Sequence, residues 1–205
     1  NDPHGPWSRG PKYDPAKITV PPYLHDNAIT REALAKYFGE IGKLDEQVGA
    51  LTKMLDDTKQ SENTVVLLVS EQGSSFPYGG KWSVYDNGIH ASAILRWPGK
   101  VPAGKVENGI VSGMDWFPTF VAAAGNPNIT DELLKGKQLG DKTYKVHLDG
   151  YNQMNLITGK GPSARHEIFY FGESSLGAVR VDDFKYRFID QPNGWLGEKT
   201  HPDVP

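Results

Sequence analysis

Thr64-Val65-Val66-Leu67-Leu68-Val69-Ser70 is an unbroken β-branched and aliphatic run, and it limits what this chain can become more than any other stretch. A strand with one wet face alternates apolar and polar residues, whereas a run without alternation is the pattern of a strand covered on both faces, as at the centre of a parallel sheet. A helical pattern precedes it. Leu34, Tyr37, Phe38, Ile41, Leu44, Val48, Leu51 and Leu55 recur at steps of three and four, so one stripe of a long helix faces a core, with Thr30 as a candidate cap. A helix feeding a buried strand is the second half of a βαβ unit. The expectation is therefore an α/β domain whose helices cover a sheet.

Later segments fit that frame. Ser92 to Trp97 reads as a second short strand ended by Pro98-Gly99, and Asp115 to Ala124 as a helix stopped by Gly125, with Pro118 near its first turn. Residues 126–163 are loop-rich, with a turn of helix expected around Asn152 to Ile157. Glu167 to Phe171, Leu176 to Asp182 and Phe184 to Ile189 are β-branched and aromatic, and Asp182-Asp183 marks a tight turn between the last two. Together they predict a small antiparallel sheet. Before all of these, Pro3 to Leu24 is proline-rich and aperiodic, an extended loop expected to wrap over later elements.

Composition removes several function classes. The formal net charge of −3, with both signs interspersed, offers no basic face for a phosphate backbone, so nucleic acid is not an expected partner. The chain has no cysteine, which excludes disulfides, thiolate metal sites and thiol nucleophiles. Its longest apolar runs are too short to span a bilayer, and Asn1-Asp2-Pro3-His4-Gly5-Pro6 has no signal-peptide character. The opening reads like the middle of a protein. Gly-x-Ser-x-Gly, P-loop and His-Glu-x-x-His motifs do not occur.

In open α/β sheets ligands bind beyond the carboxyl ends of the strands, which directs attention to Ser70-Glu71-Gln72-Gly73. Glu71 and Gln72 place a carboxylate and an amide oxygen side by side, hard donors suited to Ca2+ or Mg2+; an ordinary surface loop has the same appearance. Lys81 follows two glycines and is suited to an anionic group, although most such lysines are simply solvated. His90, after Asp86-Asn87-Gly88-Ile89, is able to donate a hydrogen bond, transfer a proton or serve structurally. His4 lies between Pro3 and Pro6, where the backbone is stiff.

The order of these pieces is itself informative. Pro3-His4-Gly5-Pro6-Trp7, Leu44-Asp45-Glu46-Gln47-Val48-Gly49, Asn63 to Gly73, Gly80-Lys81, Tyr85-Asp86-Asn87-Gly88, Arg96-Trp97-Pro98-Gly99-Lys100, Ala103-Gly104, Asp115-Trp116-Phe117-Pro118-Thr119 and Ala124-Gly125 succeed one another in a way that resembles the type I sulfatases. From about Ile110 onward the chain looks most like bacterial arylsulfatases, including Lys145 to Tyr151 and Gly177-Ala178-Val179-Arg180, whereas the middle block is similar to family members carrying a Glu-Gln pair.

This resemblance implies an alkaline-phosphatase-like α/β fold, here an incomplete sheet, with a small C-terminal antiparallel sheet. Residues 1–125 would be the C-terminal part of the catalytic domain and 126–205 a loop-rich segment and small subdomain. It also implies a divalent cation, usually Ca2+, and a formylglycine made from Cys or Ser, whose gem-diol attacks sulfur. By position, Glu71 and Gln72 fall where the family has an Asp followed by Asn or His as metal ligands. Lys81 and His4 fall on sulfate-contacting positions, and His90 stands where many relatives have Arg, as a pocket residue. The Cys-x-Pro-x-Arg signature would precede residue 1, as would the paired aspartates and a second lysine and histidine; Gly161-Pro162-Ser163-Ala164-Arg165 is not that signature. No nucleophile is therefore expected within these residues, and turnover is expected only with the missing N-terminal half. Aryl sulfates and sulfated sugars both remain open as substrates, and a periplasmic or secreted location follows from the resemblance. The competing readings are a non-catalytic binding or structural module and, on the same fold, a phosphatase or phosphonate hydrolase.

Overall fold

The computed structural model describes residues 10–77, 80–81, 83–172 and 174–189. Its longest element is helix α1, Ala28–Asp57. The cap is Asn27 and not Thr30: Asn27 is extended and its side-chain oxygen accepts from the Thr30 amide at 2.9 Å, which places Thr30 inside the first turn. The preceding loop does wrap onto this helix. Ile18 is buried against Leu34 and Ala35, with Val20, Leu24, Phe38 and Phe76 packed around them. The Arg31 guanidinium fixes the loop by donating to the Ile18 carbonyl at 2.9 Å while chelating Asp26 at 2.5 and 2.7 Å.

The apolar stripe of α1 is fully buried only in its N-terminal half, at Leu34 and Ala35, and Val48 and Leu55 are half-buried. Ile41, Leu44 and Leu51 are exposed, Leu51 by 60%. The buried strand meets a similar correction. Strand β1 is Val66–Val69; its partner among the described residues is β2, Ala93–Arg96, and the pairing is antiparallel, with Leu67 opposite Leu95. Val66 to Leu68 are half-buried and Val69 is 45% exposed. A run apolar enough for cover on both faces is thus paired along one edge and open elsewhere. Arg96 anchors this ribbon by donating to the Ser61 carbonyl and hydroxyl at 3.0 and 2.8 Å.

The one-turn helix α2, Asp86–Ile89, precedes β2, and helix α3, Trp116–Ala123, follows it, entered through a 3-10 turn at Gly113–Asp115. Ser112 and Asp115 form a capping box at that entry. Within residues 126–163 there is more order than sequence suggests: α4, Ile129–Lys135; a hairpin of β3, Lys137–Leu139, with β4, Lys142–Tyr144; and α5, Met154–Ile157. The C-terminal sheet is as expected, β5-β6-β7 in order and antiparallel, over Glu167–Gly172, Ser175–Val181 and Phe184–Arg187. Asp182 and Asp183 form its tight turn, Asp182 taking a positive φ of 48°. One face of this sheet buries Tyr170 and Ala178, while the other exposes Phe169, Phe184 and Tyr186.

Candidate functional site

The loop leaving β1 and the glycine-rich loop beyond it are stitched together by main-chain bonds. Gly73 N–H donates to the Gly88 carbonyl at 2.8 Å, and Lys81 N–H donates to the Ser74 carbonyl at 3.1 Å. Ser70 N–H continues the ribbon by donating to the Ser92 carbonyl. Two glycines make this closeness possible. A Cβ on Gly88 would lie 2.2 Å from the Gly80 carbonyl oxygen, and Gly80 has a φ of 81°. No larger residue fits that contact without moving backbone.

The segments carrying Glu71 and Gln72, Lys81 and His90 therefore belong to one loop cluster at the end of β1. Glu71 is exposed, Gln72 and Lys81 half-buried. His90 is exposed at the C-terminal end of α2, its amide donating to the Asp86 carbonyl at 2.8 Å. His4 lies outside the described residues. Two adjacent oxygen donors suit a hard cation in kind, but Ca2+ takes about six to eight oxygens. Among the described residues, no three His, Cys, Asp or Glu side chains gather into a metal cluster. Glu71 and Gln72 alone account for two such donor side chains at most.

The most strongly organised polar group was not among the sequence candidates. Asp115, at the entry to α3, is fully buried and receives Arg165 Nε and Nη2 at 3.0 and 2.7 Å, Gln153 Nε2 at 3.1 Å, and the amides of Tyr151 and Ser112 at 2.8 and 2.9 Å. Burial alone opposes ionisation of Asp115. The hydrogen bond from Arg165, followed by those from Ser112, Tyr151 and Gln153, outweighs it and holds the carboxyl below its ordinary pKa. Arg165 also donates to the Asp149 carbonyl and lies under the Tyr151 ring. Thr119 donates to the Asp115 carbonyl and accepts from the Gln153 amide. Every buried side-chain nitrogen and oxygen among the described residues has a partner, and this network acts as a brace between the entry to α3 and the 149–165 segment.

Helices and small antiparallel sheets carry one loop cluster at the end of β1, and comparison with known proteins names the class. The sulfatase family profile matches residues 1–126, and the chain belongs to the sulfatase family. It is 28% identical over 188 residues to N-acetylgalactosamine-6-sulfatase of Canis lupus familiaris, an alignment covering 86% of this chain and 33% of that protein. An ulvan-active sulfatase of Formosa agariphila is 31% identical over 109 residues, or 53% of this chain and 18% of that protein. Among solved structures, the PsFucS1 sulfatase from Pseudoalteromonas sp. superposes with a TM-score of 0.60 at 23% identity, covering 78% of this chain and 30% of that one. Ps i-CgsB, solved in complex with k-i-k-neocarrahexaose, gives 0.60 at 25% identity over 94% and 40%. The chain spans about a third of the length of the N-acetylgalactosamine-6-sulfatases it matches. Among the described residues no helix is long and apolar enough to cross a membrane.

Proposed function

We propose that this chain supplies one flank of the active site of a sulfate-ester hydrolase, with a sulfated glycan as the favoured substrate. The observation that carries the reading is the pair of main-chain bonds that tie the Glu71-Gln72 loop to the Lys81 and His90 loop. In this reading Glu71 and Gln72 are two oxygen ligands of a divalent cation, Ca2+ by family resemblance. Lys81 and His4 contact sulfate oxygens, and His90 lines the sugar side of the pocket. When bound, the cation supplies positive charge to the sulfate oxygens, and a formylglycine outside these residues supplies the nucleophile. Lys81 adds a further positive charge where negative charge builds up, without proton transfer. Glu71 and Gln72 keep the donor atoms of the family's usual pair on longer arms.

Residues 1–125 form the catalytic part in this proposal, and 126–205 brace it through Asp115 and Arg165. The names of two relatives, N-acetylgalactosamine-6-sulfatase and ulvan-active sulfatase, support the glycan choice, while a steryl-sulfatase and an arylsulfatase A stand beside them; an exported location is part of the same proposal. The test is sulfate release from sulfated oligosaccharides by the longer protein containing this chain, matured with its formylglycine. Release is expected, falling at least about a hundredfold in Lys81→Ala, the loss typical of removing one charge-stabilising donor. A matured protein that binds Ca2+ but releases no sulfate would leave the alternative, a non-catalytic binding module.

A further inference from the structure

Lys185 lies on β7, in the C-terminal sheet, about a hundred positions from the loop cluster. Its ammonium nevertheless reaches that cluster. Nζ donates to Asp86 Oδ1 at 3.0 Å and to the Val84 carbonyl at 3.4 Å, and sits 3.9 Å from the centre of the Tyr170 ring. Tyr170 is buried on the same face of the sheet, so Lys185 stands on a fixed aromatic surface. Burial, then the nearby Asp86 charge, raises the Tyr170 pKa, with Arg180 opposing them.

What Lys185 grips is the start of α2. Asp86 is the first residue of that helix and its carbonyl accepts from the His90 amide. Gly88, two residues on, packs on Gly80 and accepts the Gly73 amide. Displacing Asp86 would therefore disturb both seams, the one to Gly73 beside Glu71-Gln72 and the one to Gly80 beside Lys81. We infer that Lys185 is a positioning residue, through which the C-terminal sheet holds the Asp86–His90 turn and hence the Lys81 loop in register with the Glu71-Gln72 loop. The functional consequence rests on the reading proposed above; the clamp itself does not.

The ion pair is partly exposed, so it contributes little by itself, and the ring contact adds to it. The experiment compares Lys185→Met and Lys185→Arg with the unaltered chain by residue-resolved amide hydrogen exchange. Lys185→Met is expected to speed exchange at Gly73, Lys81 and His90 by about five- to tenfold, the combined weight of one exposed ion pair and one cation–π contact. Exchange at Gln153 and Tyr151, in the Asp115 network, should stay unchanged. Lys185→Arg keeps the charge and the ring contact and should retain most of the protection. If Lys185→Met leaves the loop amides as protected as before, or if Lys185→Arg is as disruptive as Lys185→Met, the inference is overturned. Because no ligand enters the measurement, it stands or falls separately from Ca2+ or sulfate binding. In the longer enzyme the same clamp predicts a lower kcat/KM toward sulfate esters in Lys185→Met and near-normal values in Lys185→Arg.

Discussion

Asp115 and Arg165 lie 50 positions apart and meet with 0% and 3% of their side chains exposed. Breaking such a pair strands a buried charge, so Arg165→Ala should lower unfolding free energy by about 3–5 kcal/mol, measured by urea denaturation. A pH dependence goes with it. The folded pKa of Asp115 is depressed, so its contribution is complete above the unfolded carboxylate value of about 4 and is lost as pH falls through the folded value below it. Asp115→Asn should flatten the acid limb of the stability profile. An unchanged acid limb would mean that the network does not hold the charge. Nothing local in the sequence announces this pair. Asp115 reads as an ordinary helix start and Arg165 as part of a segment notable only for failing to be the family signature, because a long-range ion pair leaves no periodicity. Glu71, Gln72, Lys81 and His90, by contrast, stand at strand ends and glycine turns, positions that local pattern marks well.

At the scale of elements, legibility followed the strength of the local code. The long helix, both strands of the first ribbon and all three strands of the C-terminal sheet were readable, because periodicity of 3.6 or 2 and turn residues such as Asp182-Asp183 specify them directly. Short elements were not. Helix α4 and the β3–β4 hairpin have too few residues to show a period, and in 126–163 their glycines read as loop. The sequence does not decide the cap for a related reason, since Thr30 and Asn27 are both capping types and only the extended backbone of Asn27 distinguishes them. Asn27→Ala should therefore cost about 1 kcal/mol of stability and Thr30→Ala much less, compared by thermal melting. Equal effects would return the cap to Thr30.

Considered whole, the molecule leaves open the very surfaces that its sequence patterns mark as interior. Val69 of β1 and Ile41, Leu44 and Leu51 of α1 read as buried and are exposed, Val66 to Leu68 are only half-buried, and Phe169, Phe184 and Tyr186 are exposed on the C-terminal sheet. Pattern describes the environment a segment is suited to, and these 205 residues cover only about a third of the length of longer relatives. In this chain Leu51→Gln and Phe184→Gln should shift stability by no more than about 0.5 kcal/mol, whereas burial in the longer protein would make both costly. The central proposal, that the β1 loop carries two ligands of a cation site, is tested most directly by titrating Ca2+ into the chain while following backbone amide resonances. The account predicts saturable shifts at Glu71, Gln72 and Gly73, spreading to Lys81 and Gly88 across the main-chain seams, and weakened at least tenfold by Glu71→Ala. Saturable binding that Glu71→Ala leaves intact, or no shifts in this loop at any Ca2+ concentration, would contradict it.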